Sequence, residues 1–178
     1  IYALLITFIC AIIVLKTDRL FKISDYQGLR YFRNAFFFYG IAFTVRFILG
    51  SRHEEISQLW CDIIKLSFEF TIITAGFLLL YSLIWKKVEK ERNYHSLFNK
   101  NMFVIYVVSL FIAILDVVWD ENIFMYVSQI VLFCVLIAIS YQNFKKSGKE
   151  SPFLKYYFFT MILGLAAWTL NAVLHYYL

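Results

Sequence analysis

Residues 62–85, DIIKLSFEFTIITAGFLLLYSLIW, decide the fold, because they form an apolar run long enough to cross a bilayer that nevertheless carries Lys65 and Glu69 inside it. A membrane-crossing helix needs about twenty mostly apolar residues. On a helix Asp62, Lys65 and Glu69 stand at i, i+3 and i+7, so they share one face, and Gly76 continues that line seven residues further on. An ionised side chain in the middle of a transmembrane helix costs roughly 2.5–3.5 kcal/mol on insertion scales, so such residues turn inward to partners or water. The face carrying Glu69 is therefore expected to look into a bundle and not at lipid.

Composition carries the same reading outward to the whole chain. Of 178 residues, 62% are hydrophobic and 21% aromatic, with one proline, and the mean hydropathy is +0.71. That exceeds what a soluble domain of this length requires. The twenty Phe and thirteen Tyr suit helices that pack against one another and anchor at the headgroup level. The formal charge of +5 does not indicate nucleic acid, since the basic residues fall in short connectors between apolar spans and not along one soluble face. Cys10, Cys61 and Cys134 are far apart, form no CxxC and read as small buried hydrophobes.

The apolar runs predict an all-α fold: a polytopic transmembrane helical bundle of six helices in one integral membrane domain over residues 1–178. The spans are placed at about 1–15, 34–50, 62–85, 102–119, 123–141 and 153–178, with room for a seventh helix upstream. The chain starts apolar at Ile1 without a basic leader, which reads as a truncated first span and not as a signal peptide. Residues 120–122 make a tight turn in which Asn122 is suited to cap the next helix, and Pro152 falls where proline is tolerated, in a first helical turn. Fourteen of the seventeen Lys and Arg lie in the three connectors at residues 16–33, 86–101 and 142–155. Short cytoplasmic loops carry such an excess, so these connectors are expected inside, with Ile1 and Leu178 both outside in a multi-pass cell-membrane protein.

An internal echo groups the helices into three hairpin units. FKIS at residues 21–24 precedes GIAF at 40–43 by nineteen residues, and FKKS at 144–147 precedes GLAA at 164–167 by twenty. The middle pair of spans shares the plan but not the motif, and a pseudo-threefold arrangement of the hairpins is the expectation.

Placed at their depths, the polar residues of the spans all fall in the outer half: Arg46 in the second, Lys65 and Glu69 in the third, Asp116 in the fourth, Asn171 and His175 in the sixth. Gly164, Trp168, Asn171 and His175 share a face of the last helix, and Ser109, Asp116 and Asp120 share one on the fourth. Converging faces would make an outward-facing pocket from two acids, two bases, an amide and an imidazole, with Trp168 as an apolar wall. The competing reading is structural. Lys65 with Glu69 and Arg46 with Asp116 would be interhelical ties, and residues one turn from the boundary can reach water along their own stems. Glu69 is deepest, and that escape explains it least.

Catalytic readings find little support. Zinc held by Glu69, Asp116 and His175, with His53, has suitable ligand types, but no HxxxH or HExxH pair exists, and no GxSxG or Cys/His arrangement offers a nucleophile. Lys65 stands too near the boundary for a retinal linkage. A transporter would show interrupted helices from an inverted repeat, and a channel a ring or a filter loop. The expectation is a ligand-binding or ligand-sensing membrane module that is not an enzyme and uses no cofactor or metal. Its partners are the lipid bilayer, a small-molecule or ion ligand, and other membrane subunits or further copies of itself. The alternatives are an accessory or structural subunit of a larger membrane complex and a transporter or channel subunit.

The paired segments FKISDYQGLRYFRNAFFF (21–38) and YQNFKKSGKESPFLKYYFF (141–159) combine an aromatic span end, a basic turn with QG or SG, and a following aromatic span entry. This pattern resembles the multi-helix membrane modules of prokaryotic, especially archaeal, sensory and uncharacterised membrane proteins. The resemblance implies reception of a signal in the membrane or from outside. Such modules pass it to a cytoplasmic domain, and a C-terminus outside would favour a partner-dependent role.

Overall fold

A computed structural model describes residues 2–24, 27–52, 57–88, 100–119, 122–146 and 152–177. All elements among the described residues are helices: α1 Tyr2–Ser24, α2 Gln27–Arg52, α3 Gln58–Val88, α4 Lys100–Trp119, α5 Ile123–Lys146 and α6 Pro152–Tyr177. Four contain segments long and apolar enough to cross a membrane, namely Gln58–Trp85, Lys100–Trp119, Ile123–Lys145 and Tyr157–Tyr177.

Several helices outrun their apolar segments. α1 continues through Lys16, Asp18, Arg19 and Lys22 to Ser24, so most of what reads as a polar connector is helix. Charged side chains stabilise that extension locally. Asp18 accepts from Arg33 Nη1 across the hairpin, Lys22 lies 3.5 Å from Asp18 at i+4, and the Arg30 guanidinium stands 5.3 Å from the Phe21 ring centre. Pro152 opens α6, where its missing N–H would lack an intrahelical partner in any case.

The packing is not threefold. α3 packs on α2, α4 and α5, whereas α1 packs closely on α2 and α6 on α5. Sequence explains the central place of α3. From Glu69 to Ser82 nearly every residue is buried, Ile72, Ile73, Thr74, Ala75 and Leu78 completely, and a helix that is apolar all round is one that neighbours enclose. Gly76 sits at the closest approach to α5: a Cβ there would lie 2.9 Å from Gln129 Oε1 and 3.0 Å from Leu132 Cδ1. Gln129, fully buried, uses that proximity. Its Nε2 donates to the Ile72 carbonyl at 3.3 Å and its Oε1 lies 3.5 Å from the Tyr39 hydroxyl, so one amide ties α2, α3 and α5.

The two ends of the bundle differ. At the end where α3 finishes and α4 begins, Tyr31 and Tyr81 meet edge to face at 4.7 Å, Asn101 Nδ2 donates to the Tyr81 hydroxyl at 3.1 Å, and Phe32 reaches Tyr157 at 6.0 Å. Aromatic rings fill that end. The opposite end, where α2 and α6 finish and α3 and α5 begin, is left hollow.

Candidate functional site

The hollow is a cavity of about 220 Å³ bounded by Val45 and Arg46 of α2, Ile64, Lys65, Phe68 and Glu69 of α3, Met125 and Tyr126 of α5 with the preceding Asn122, and His175 of α6. Antiparallel neighbours bring these positions to one level, because Arg46 is near the end of an upward helix and Lys65 near the start of the next downward one.

The side chains at the rim have identifiable neighbours. The Arg46 guanidinium lies 5.7 Å from the Phe68 ring centre, a cation–π arrangement. His175 is exposed, its Nε2 is 3.3 Å from Asn122 Nδ2, and its ring is 5.5 Å from Tyr126. Lys65, half-buried, stands within electrostatic range of both Glu69 and Asp116. Glu69 is fully buried, and neither of its oxygens has a hydrogen-bond partner among the described residues. A buried carboxyl left in that condition costs several kcal/mol unless a donor or a counter-charge reaches it.

A second, smaller cavity of about 140 Å³ shares the walls Arg46, Met125 and Tyr126 and is closed by Trp168 and Asn171 of α6 with Tyr39, Phe43 and Ile72. Trp168 meets Tyr126 edge to face at 6.1 Å. The structure thus brings Arg46, Lys65, Glu69 and His175 to one cavity and Arg46, Trp168 and Asn171 to its neighbour.

Asp116 belongs to neither. Its two oxygens accept the backbone N–H of Phe124 at 2.8 Å and of Met125 at 2.5 Å, so it caps the N-terminus of α5 from the preceding helix. Residue 122 was the expected cap, yet its side-chain amide meets His175 instead. The expected Arg46–Asp116 tie is not formed; Arg46 stacks on Phe68. Asp62 is exposed and 3.4 Å from Gln58 Nε2, away from the cavity walls. His53 and Asp120 lie outside the described residues. Among the described residues no three of His, Cys, Asp and Glu stand close enough to hold a metal ion.

Sequence reasoning gave Asn122 only a capping role and missed Tyr126 and Gln129. Their signal was present: spacings of 4 and 3 put them on one face of an otherwise apolar stretch; Asn122 and Tyr126 line the polar cavity and Tyr126 also its neighbour, while Gln129 ties α2, α3 and α5. Phe68 carried no signal, because an aromatic beside an arginine is recognised only across helices.

Chemically, the cavity offers two cations and an imidazole near its mouth, one unsatisfied carboxyl at its floor, and apolar walls between. That set can hold a ligand with an acidic group at one end and a hydrogen-bond donor at the other.

An uncharacterized protein of Archaeoglobus fulgidus is similar to this chain, with 28% identity over 180 residues that cover 96% of this chain and 75% of the relative. No known protein family matches the sequence, and no solved structure matches it.

Proposed function

We propose that the chain is a multi-pass membrane protein that binds a small ligand in the cavity over Glu69, as a ligand-binding or sensing module and not as an enzyme. The observation that carries this reading is the Glu69 carboxyl: buried, without a hydrogen-bond partner, at the floor of a cavity rimmed by Arg46, Lys65 and His175. Buried polar groups are retained at such expense where a partner completes them. The gathering of Lys and Arg into three connectors supports an orientation with the cavity end of the bundle outside, so the ligand would arrive from that side. The archaeal similarity is consistent with the resemblance to uncharacterised archaeal membrane proteins and adds neither a sensory role nor a ligand.

A second reading, an accessory subunit of a membrane complex, is favoured by the polar groups already spent on packing, Asp116 and Gln129. Thermal unfolding of the detergent-solubilised protein and of Glu69→Gln, against zwitterions, small anions and cations, separates the two. Binding to the folded state alone stabilises by about 2.7 kcal/mol at a hundred times Kd. Stabilisation of the wild type by one compound, lost in Glu69→Gln, is the expected result. Identical responses of both proteins, with dependence of folding on a co-expressed partner, would favour the subunit.

A further inference from the structure

A second hollow adjoins the polar cavity. It is a groove of about 440 Å³ between α1 and α2, bounded among others by Thr7, Ala11, Val14, Phe37 and Gly40, and Val45 is a wall of both the groove and the polar cavity. Among the described residues on its walls the oxygen-bearing side chains are Thr7 and Thr44, and both hydroxyls are already satisfied: Thr7 Oγ1 donates to the Ala3 carbonyl at 3.0 Å, Thr44 Oγ1 to the Gly40 carbonyl at 2.8 Å, and the two stand 3.4 Å apart. The groove therefore presents hydrocarbon.

Resting on the ligand-binding reading above, we propose that the ligand is a single-chain amphiphile. Its head, bearing an acidic group and a hydrogen-bond donor, fills the cavity over Glu69, and its chain lies in the groove between α1 and α2.

Three observations carry this. The first is direction. From Val45 the groove runs back along α2 to Phe36 and along α1 to Leu15, away from the helix ends where the polar cavity lies. At 1.5 Å per residue that is about 12–14 Å, close to half of a ~30 Å hydrocarbon core. A lipid of one leaflet has the same polarity over the same depth. The second is size. The groove holds roughly fifteen volumes of about 30 Å³, the share of one liquid water molecule, and a methylene group takes about as much room, so one acyl chain fits. The polar cavity holds roughly seven such volumes, which suits a small headgroup. The third is charge. Arg46 and Lys65 complement an acidic group such as a phosphate, while Glu69 needs an N–H or O–H donor, and a head that carries both satisfies each side.

The test uses the full chain in maltoside micelles and two probes, lysophosphatidylethanolamine and its chainless head, glycerophosphoethanolamine, with binding read by native mass spectrometry and thermal shift. Ala11→Phe fills the groove from an exposed position; Thr44→Phe, on the opposite wall, is a second blocking variant should the first fold poorly. The expected result is that the wild type binds the amphiphile at least tenfold more tightly than the head. The blocking variants abolish that advantage and leave head affinity unchanged, and Glu69→Gln weakens both probes at least tenfold. Equal affinity for head and amphiphile, with Ala11→Phe and Thr44→Phe neutral, overturns the chain site and leaves the pocket reading standing. Amphiphile binding that is the same in wild type and Glu69→Gln, with no binding of the head, shows unselective lipid in the groove and overturns both.

Discussion

Asp116 and Glu69 are both fully buried carboxyls in apolar helices, yet one is spent and the other is not. Asp116 lies on the last turn of α4, and the turn to α5 is so short that the first N–H groups of α5 come within its reach. Those N–H groups have no partner inside their own helix, and a negative side chain there also meets the positive end of the helix dipole. Glu69 meets no helix end. It stands in the body of α3 and faces a hollow. The comparison teaches that an acid inside a membrane helix is not in itself a functional signal. What separates the cap from the candidate binding group is the count of hydrogen bonds its oxygens make.

The largest expected effect tests the spent half of the pair. Asp116→Ala leaves the Phe124 and Met125 amides without their acceptor, and each unsatisfied buried group costs about 1–3 kcal/mol, so a loss of roughly 2–4 kcal/mol in unfolding free energy is expected in mixed-micelle titrations. Asp116→Asn retains one acceptor and should lose about half as much. Wild-type stability in Asp116→Ala would place the cap elsewhere and erase the contrast. Next in size is Gly76→Ala, which drives a methyl group into the Gln129 amide and Leu132. Overpacking costs about 1–3 kcal/mol, and thermal unfolding should show it. Full stability there would mean that α3 and α5 separate easily at this contact.

Much of this was legible in the sequence, and the reason is depth. In a chain of apolar helices, the position of a polar residue along its span fixes its level in the bundle, so Arg46, Lys65, Glu69 and His175 could be expected at one level before any packing was known. Azimuth is another matter. Whether Asp116 turns toward α2 or toward the start of α5 depends on the rotation of α4 and on the three-residue turn after Trp119, and no periodicity within α4 encodes that. Trp168 and Asn171 likewise reach a neighbouring cavity because Tyr126 and Met125 stand between. The helix ends were under-read for a physical reason as well: α1 extends beyond its apolar run because Asp18, Lys22 and Arg33 stabilise helix in a region too polar to count as span.

Glu69→Gln sharpens the comparison from the unspent side. With no hydrogen bond to lose among the described residues, the neutral isostere should leave stability in ligand-free detergent within about 1 kcal/mol of the wild type, since it keeps the shape of a side chain whose oxygens already lack a donor. The measurement is the unfolding midpoint of the two proteins side by side. A loss as large as that of Asp116→Ala would show Glu69 to be another packing tie, and the cavity would lose its claim to a ligand.

The smallest effect belongs to a third carboxyl, Asp18, which lies in the basic hairpin end outside the apolar spans. A hydrogen bond from Arg33, reinforced by the charges of Arg33 and Lys22, holds it below the usual carboxylate range. A folded-state value below the unfolded one adds stability that is present above the unfolded pKa of about 3.9 and is lost as pH falls through the folded value. Arg33→Gln should therefore melt slightly earlier than the wild type at neutral pH, and the gap should close as the solution is taken below about pH 4. The gap should also shrink in high salt, as solvent-exposed charge pairs do. A gap that persists at low pH and in high salt would mean that Arg33 contributes through its contact with Asn34 and not through Asp18. The three carboxyls then rank by environment alone: Asp116 is fixed by amides and costly to remove, Glu69 is buried and costs little to neutralise until a ligand is present, and Asp18 is half-buried at the hairpin end and matters mainly while it is charged.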